Sequence, residues 1–165
     1  MNAEIRYNFD LNEVPLVGGM MQDWGGIDLR ASYFHTQRYD IYGNGVTRTD
    51  RLAGEHSNPE HEFRLDTRHT VGPFSHTLSS LYTSATVSNV LTTKNLIPEQ
   101  TPAFVADDFW FFNYNAAFDL NDNYQLRLTI NNLLDTDQPR DIYGIGNNFD
   151  GGFGREYIVG VTAKF

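Results

Sequence analysis

The sequence contains no cysteine, and its basic residues are few. Among 165 residues there are 12 Lys and Arg against 21 Asp and Glu, which gives a net charge of −9. The absence of cysteine excludes disulfide bonds and thiolate metal sites. An acidic chain without clustered Lys and Arg lacks the counterion release that drives nucleic-acid binding, so no nucleic-acid partner is expected.

Long apolar runs are also missing. No stretch of 18 or more apolar residues is present, so the sequence predicts no helix that crosses a bilayer. Residues 1–7 have neither the basic region nor the apolar core of a secretory signal. A protein that reaches the outer membrane needs such a signal. If the chain is a membrane protein, we therefore expect this sequence to be the downstream part of a longer chain.

Aromatic residues, in contrast, are abundant, with 12 Phe and 9 Tyr. Apolar residues recur at every second position rather than at every third and fourth, which is typical of β-strands. The sequence therefore predicts an all-β, antiparallel, up-and-down fold of seven strands, several of them long enough to cross a membrane when tilted. The predicted strands are 4–11, 26–39, 60–71, 74–83, 108–120, 124–133 and 155–165.

Two hairpins have turns short enough to predict their registers. The two-residue turn at 72–73 places His69 opposite His76 and Phe63 opposite Tyr82 on an apolar face, with charged and hydroxyl residues on the other.

The second hairpin turns at 121–123, an Asn-Asp-Asn sequence whose residues tolerate the left-handed conformation of tight turns. Its predicted register places Phe118 opposite Leu126, and Asn115 opposite Thr129. One face is again aromatic and aliphatic, and the other is polar.

Short and long connections alternate along the chain. Both hairpin turns are tight, whereas the connections at 40–59, 84–107 and 134–154 are long. An up-and-down barrel of the outer membrane has this asymmetry, with turns on one side and loops on the other. The long connection at 12–25 falls on the turn side and fits the scheme least. A soluble β-sandwich has the same alternation of faces, so the pattern favours a transmembrane barrel segment but leaves a soluble sheet open.

The chain closes on an alternating strand with an aromatic last residue. Its apolar face holds Tyr157, Val159, Val161, Ala163 and Phe165. Termini of soluble domains usually fray and turn polar, so this stripe indicates contact with lipid. In a membrane every strand edge must be paired, so we expect this strand to close a barrel. In the isolated chain it would be an unpaired edge that is prone to aggregation.

Several segments resemble the TonB-dependent outer-membrane receptors. Residues 119–135 are similar to the penultimate hairpin of that family and include its "NNL-x-D" signature at 131–135. Residues 154–165 look like the family's closing strand, and 58–65 with 72–74 resemble the strand pair before these two elements.

The resemblance implies a complete receptor that is a barrel of about 22 strands with a plug in its lumen. Residues 1–165 would be the C-terminal portion of this barrel, an incomplete transmembrane segment without the plug domain. The implied function is energised uptake of a scarce ligand of the siderophore, cobalamin or oligosaccharide class across the outer membrane of a Gram-negative bacterium. The alternative is a soluble antiparallel β-sheet module that binds carbohydrate or protein.

The same resemblance implies the partners. These are outer-membrane lipid, the barrel assembly machinery and, only through the missing N-terminal region, TonB. The last strand is similar to the signal that the assembly machinery reads, and the candidate signal residues are Tyr157, Gly160, Val161, Ala163 and Phe165. Phe165, Val161 and Gly160 match the signal. Ala163 departs from the pattern because it is small where a bulkier apolar residue is usual. Phe165 can serve equally as an aromatic of the membrane girdle.

Charges of alternating sign follow one predicted strand. Glu62, Arg64, Asp66 and Arg68 share its polar, lumen-facing side, and Arg127 is predicted to lie on the same face. They could orient a charged ligand or contact the plug. We favour a ladder of charges that neutralise one another in a wet barrel.

Histidines suggest a metal site only weakly. No third ligand accompanies His69 and His76, so a place in an interfacial aromatic belt is favoured over metal binding. His56 and His61 flank a loop and are expected to be solvated.

The last long loop contains aromatic residues among Asp, Asn and Gly. By the resemblance, extracellular loops contribute to ligand capture, which makes Tyr143, Phe149 and Phe153 candidate ligand contacts. The loop lacks the spacing of an EF-hand, so calcium is not favoured. No nucleophile elbow, zinc-protease motif or phosphate-binding loop is present, and we expect no enzyme activity, cofactor or metal.

Overall fold

The computed structural model describes residues 1–14, 23–41, 50–88, 102–140 and 154–163. Strands make up nearly all of its regular structure, together with 3-10 turns at Leu11–Glu13 and Pro102–Phe104. Within these ranges, no helix is long and apolar enough to cross a membrane. The strands are β1 (Asn2–Asp10), β2 (Gly26–His35), β3 (Asp40–Ile41), β4 (Asp50–Arg51), β5 (His61–Val71), β6 (Phe74–Thr83), β7 (Thr86–Val87), β8 (Val105–Ala106), β9 (Phe109–Asp119), β10 (Tyr124–Asn131) and β11 (Glu156–Ala163).

The seven long strands form one antiparallel sheet in the order β1-β2-β5-β6-β9-β10-β11. This confirms the predicted all-β, up-and-down fold, and an open sheet of this order is what an incomplete barrel segment contains. The short strands pair separately, β3 with β4 and β7 with β8. Because each long strand is antiparallel to its neighbours, the edge strands β1 and β11 run in the same direction.

Both predicted hairpin registers are confirmed. His69 lies opposite His76 and Phe63 opposite Tyr82. Gly72 has a φ of 51°, and the ring of Pro73 restricts the next φ to negative values, the combination that a type II′ hairpin turn requires.

The turn at 121–123 has the predicted register but not the expected backbone. Phe118 lies opposite Leu126, yet none of the three turn residues has a positive φ. Instead, the Asn121 Oδ1 accepts hydrogen bonds from the backbone N–H of Asn123 at 2.9 Å and of Tyr124 at 3.0 Å. The side chain of Asn121 therefore closes the turn.

The registers place apolar residues of all seven long strands on one face. Tyr33, Phe63, Tyr82 and Trp110 lie side by side across four strands. Toward the edges the apolar side chains are bare, and Val159 is 76% exposed. No described segment covers this face.

Buried side chains lie instead where the long connections emerge. Phe109 and Phe111 project from the polar face at this end of β9, and the β7–β8 pair adjoins it. Backbone hydrogen bonds link Gly54 and His56 to Val87. The other buried residues are Ala53, Glu55, Ser79, Ser80, Thr83, Thr86, Ser88, Ala106 and Asn132.

Candidate functional site

The polar face carries all five charged residues predicted to lie there, but the structure pairs only two of them. The Arg64 Nε lies 2.9 Å from an oxygen of Asp66, and the Ser79 hydroxyl donates a hydrogen bond of 2.6 Å to the same carboxylate. Among the described residues, Glu62 and Arg68 have no ion-pair partner. A continuous ladder of neutralising charges is therefore not formed.

Arg127 lies outside this pair as well. Its Nε donates to the Gln125 Oε1 at 2.7 Å, and Gln125 in turn donates to Asp119 at 2.8 Å. Arg127, Arg68 and Thr77 line an open cavity of about 310 Å³. No carboxylate is among the residues that line this cavity, but Asp28 lies directly opposite Arg68 on the neighbouring strand.

A second cavity on this face is lined by acidic residues. A second open cavity, over β1 and β2, is lined by Asp10, Glu13 and Asp28 together with Asn8 and Thr70. The two cavities thus differ in the sign of the charges that line them, acidic over β1 and β2 and basic between Arg68 and Arg127.

A third set of polar residues closes the base of the β1–β2 connection. The Asp23 Oδ1 accepts hydrogen bonds of 2.9 Å from the Asn12 Nδ2 and from the Gly25 N–H. These two bonds lower the pKa of the exposed Asp23 carboxyl, the Asn12 bond more strongly. The connection that fitted the predicted loop pattern least is therefore tied together where it leaves the sheet.

The "NNL-x-D" signature has a structural task. Asn132 is 2% exposed with a φ of 53°. Its Oδ1 accepts from the Thr136 N–H at 2.8 Å and its Nδ2 donates to the Thr136 carbonyl at 3.0 Å. Its own N–H donates to the Asn113 Oδ1 at 2.9 Å.

Asp135 completes this structure from the other side of the loop. Its Oδ1 accepts from the Arg155 N–H at 2.7 Å, directly before β11. The signature residues thus join both ends of the last long connection and tie them to β9. The left-handed φ of Asn132 also explains why β10 stops at Asn131 rather than at the predicted residue 133.

His69 and His76 are within hydrogen-bonding distance, as their register requires. The His69 Nδ1 and the His76 Nε2 are 3.0 Å apart, and the His69 Nε2 donates to the Trp24 carbonyl at 2.7 Å. Both nitrogens of His69 are thereby engaged. In the described ranges no group of three His, Cys, Asp or Glu residues is arranged to hold a metal ion.

A second histidine pair lies at the other end of the same face. His35 is directly opposite His61, and their rings stack with centroids 4.6 Å apart and planes at 9°. His61 is half-buried, so the expectation of a solvated side chain was wrong. His56, expected to be solvated too, is also partly buried, and its Nδ1 lies 3.0 Å from the Thr86 hydroxyl.

The remaining predicted residues belong to the last loop and last strand. Tyr143, Phe149, Phe153 and Phe165 lie outside the described residues. Tyr157, Val161 and Ala163 are exposed on the apolar face of β11, as their spacing predicted. Gly160 lies on the opposite face, and a Cβ there would meet no atom within 4 Å.

Comparison with known proteins adds one similar structure. No family model matches the chain, and no curated protein does. Among solved structures the chain is similar to the closed form of the ferric-catecholate import receptor Fiu of E. coli K12, with a TM-score of 0.49 and 15% sequence identity. The match covers 99% of this chain and 25% of that receptor chain. The chain thus spans about a quarter of the receptor's length.

Proposed function

We propose that this chain is the C-terminal barrel segment of a TonB-dependent outer-membrane receptor. In this role it contributes to the energised uptake of a scarce ligand of the siderophore, cobalamin or oligosaccharide class into the periplasm. The family resemblance of residues 119–135 and 154–165 supports the proposal, and so does the antiparallel up-and-down sheet.

One observation carries the proposal. The apolar face is continuous across seven strands and is uncovered in the described ranges, while the opposite face carries Arg, Asp, Asn and Thr. A soluble protein covers such a face with a second layer, whereas a barrel exposes it to lipid and keeps polar residues in its lumen. The surrounding partners are outer-membrane lipid and, during insertion, the barrel assembly machinery, and TonB acts through an N-terminal region.

The polar face suggests how the segment contributes to uptake. In the barrel it forms part of the lumen wall, along which a ligand or the plug lies. Arg68 and Arg127 line one cavity on that wall, and they are the proposed contacts for an anionic group of the ligand or of the plug. The proposed role of the segment is therefore transport rather than an enzyme activity.

Two neighbouring substitutions test the orientation of the sheet. Val159 and Ile158 are adjacent in β11, but Val159 faces the apolar side and Ile158 the polar side. Val159→Arg places a charge against lipid, at a cost of about 2–4 kcal/mol near the bilayer midplane. In the complete receptor, we expect Val159→Arg to reduce the heat-modifiable, folded fraction that gel electrophoresis of outer membranes shows, and Ile158→Arg to leave that fraction close to the value of the unsubstituted protein.

The two variants also distinguish the soluble alternative. Both side chains are exposed in the isolated sheet, 76% for Val159 and 48% for Ile158. A soluble carbohydrate- or protein-binding module would tolerate Arg at either position and would fractionate with aqueous proteins. Equal behaviour of the two variants would therefore contradict the membrane proposal.

A further inference from the structure

The His35–His61 pair has a backbone position that brings its side chains close together. The Thr36 N–H donates to the Glu60 carbonyl, so Thr36 and Glu60 form a hydrogen-bonded pair of the antiparallel ladder. His35 and His61 are one step further along and therefore form a non-hydrogen-bonded pair. At such positions the two Cα atoms are about 4.5 Å apart and the side chains are closest.

Each ring is held through its Nδ1. The His35 Nδ1 lies 3.1 Å from the Glu60 carbonyl oxygen, to which it donates. The His61 Nδ1 lies 2.7 Å from the Tyr33 hydroxyl, which can accept from an Nδ1–H. Within the described part of the chain, neither Nε2 has a hydrogen-bond partner. When both rings carry their proton on Nδ1, the two neighbouring imidazoles each have a free Nε2 lone pair.

We propose that His35 and His61 together bind one divalent transition-metal ion through their Nε2 atoms. Imidazole nitrogen suits Cu²⁺, Ni²⁺ and Zn²⁺, and Cu²⁺ binds most tightly of these. Histidine ligands of metals almost always donate their other ring N–H to a carbonyl, carboxylate or water. Glu60 supplies this carbonyl for His35, and the Tyr33 hydroxyl has the corresponding position at His61. The pair lies at the end of β2 and the start of β5, beside the long connection between these strands, so water rather than lipid completes the coordination.

Binding requires the two rings to rotate out of their stack. A metal lies in the plane of each imidazole that ligates it, and the two planes are now nearly parallel at 9°. The rings therefore tilt toward each other when the ion binds, and the stack opens. His69 and His76 lack this option, because both nitrogens of His69 already have partners. They serve as a matched control on the same face.

Titration of the chain in detergent micelles with Cu²⁺ alone tests the proposal. We expect one tight equivalent whose electron paramagnetic resonance spectrum shows coupling to two nitrogens. His35→Gln and His61→Gln should each remove one coupling and weaken binding at least about tenfold, while Tyr33→Phe should weaken it about 10–100-fold with both nitrogens retained. His69→Gln and His76→Gln should leave affinity and spectrum unchanged.

The outcomes separate the two pairs. Unaltered Cu²⁺ affinity in His35→Gln and His61→Gln would overturn the proposal, as would loss of binding in His76→Gln. Tyr33→Phe keeps both ligands, so it remains informative if a histidine variant fails to fold. Affinity should also fall as the solution is made acidic, because only neutral imidazole ligates a metal. Binding that does not change with pH would count against the two-imidazole site.

Discussion

Gly25 and Gly72 both have a positive φ, but they differ in how much space is left for a side chain. Gly25 has a φ of 71° and Gly72 a φ of 51°. A Cβ on Gly25 would overlap the carbonyl oxygen of Thr70, whereas a Cβ on Gly72 would have no atom within 4 Å. Both positions favour glycine for its conformation, but only Gly25 is also required by the close approach of another strand.

Alanine at each position separates these two requirements. Gly72→Ala should cost about 1–2 kcal/mol, the penalty of a left-handed backbone. Gly25→Ala should cost more than about 3 kcal/mol, because the β1–β2 connection must also move away from β5. Equilibrium denaturation of the chain in detergent micelles measures both values. If both variants lost the same free energy of unfolding, the backbone at Thr70 would be able to move away from the added Cβ at little cost.

The histidines show which residue contacts sequence reasoning could reach. His69 and His76 are separated by a two-residue turn, which made their pairing predictable. His35 and His61 are equally well paired, but a long connection joins their strands and gives no register. Their contact depends on the alignment of β2 with β5, which no local pattern in the sequence reveals.

At the scale of elements, the long strands were predictable because apolar and polar residues alternate in each of them over many positions. The pairs β3–β4 and β7–β8 were missed, since strands of two residues have no periodicity. The small core around Phe109 and Phe111 was missed for a related reason. Thr83 at the end of β6 is buried there, as are Thr86 and Ser88 in the connection that follows. Polar residues at these positions carry no sequence signal of burial.

The Asn132 structure is the element-scale feature with the clearest energetic consequence. Asn132→Ala removes both side-chain hydrogen bonds to Thr136 and leaves a residue less suited to a positive φ. We expect a loss of about 2–4 kcal/mol, together with faster hydrogen exchange at the Thr136 amide.

Asn131 supplies the matched control. It is adjacent in the signature, but its side chain makes an exposed hydrogen bond of 2.8 Å to Glu156. Asn131→Ala should cost less than about 1 kcal/mol and leave the Thr136 amide protected. A comparable loss in both variants would assign the signature a role other than the closure of the loop.

At the scale of the whole molecule, the surface of the chain differs from that of a soluble domain. Ile5, Tyr7, Val159 and Val161 are each more than 60% exposed, and they belong to the two edge strands. Bare apolar surface and unpaired strand edges both promote association. We therefore expect the chain to stay dispersed only in a medium whose molecules cover its apolar face.

We expect the isolated chain to form large species in detergent-free buffer and to disperse in detergent micelles. Sedimentation velocity at several protein concentrations measures this directly. A monodisperse monomer in buffer alone would contradict the expectation, because it would require the apolar face to be covered by part of the chain itself.

The common direction of β1 and β11 limits the number of strands with which this sheet can form a closed barrel. In a ring where every neighbour is antiparallel, directions must alternate all the way round. If β1 and β11 met, the seam between them would be parallel, and two copies side by side in one orientation would meet at the same kind of seam. The sheet can therefore close into an antiparallel ring only if an odd number of additional strands lies between β1 and β11.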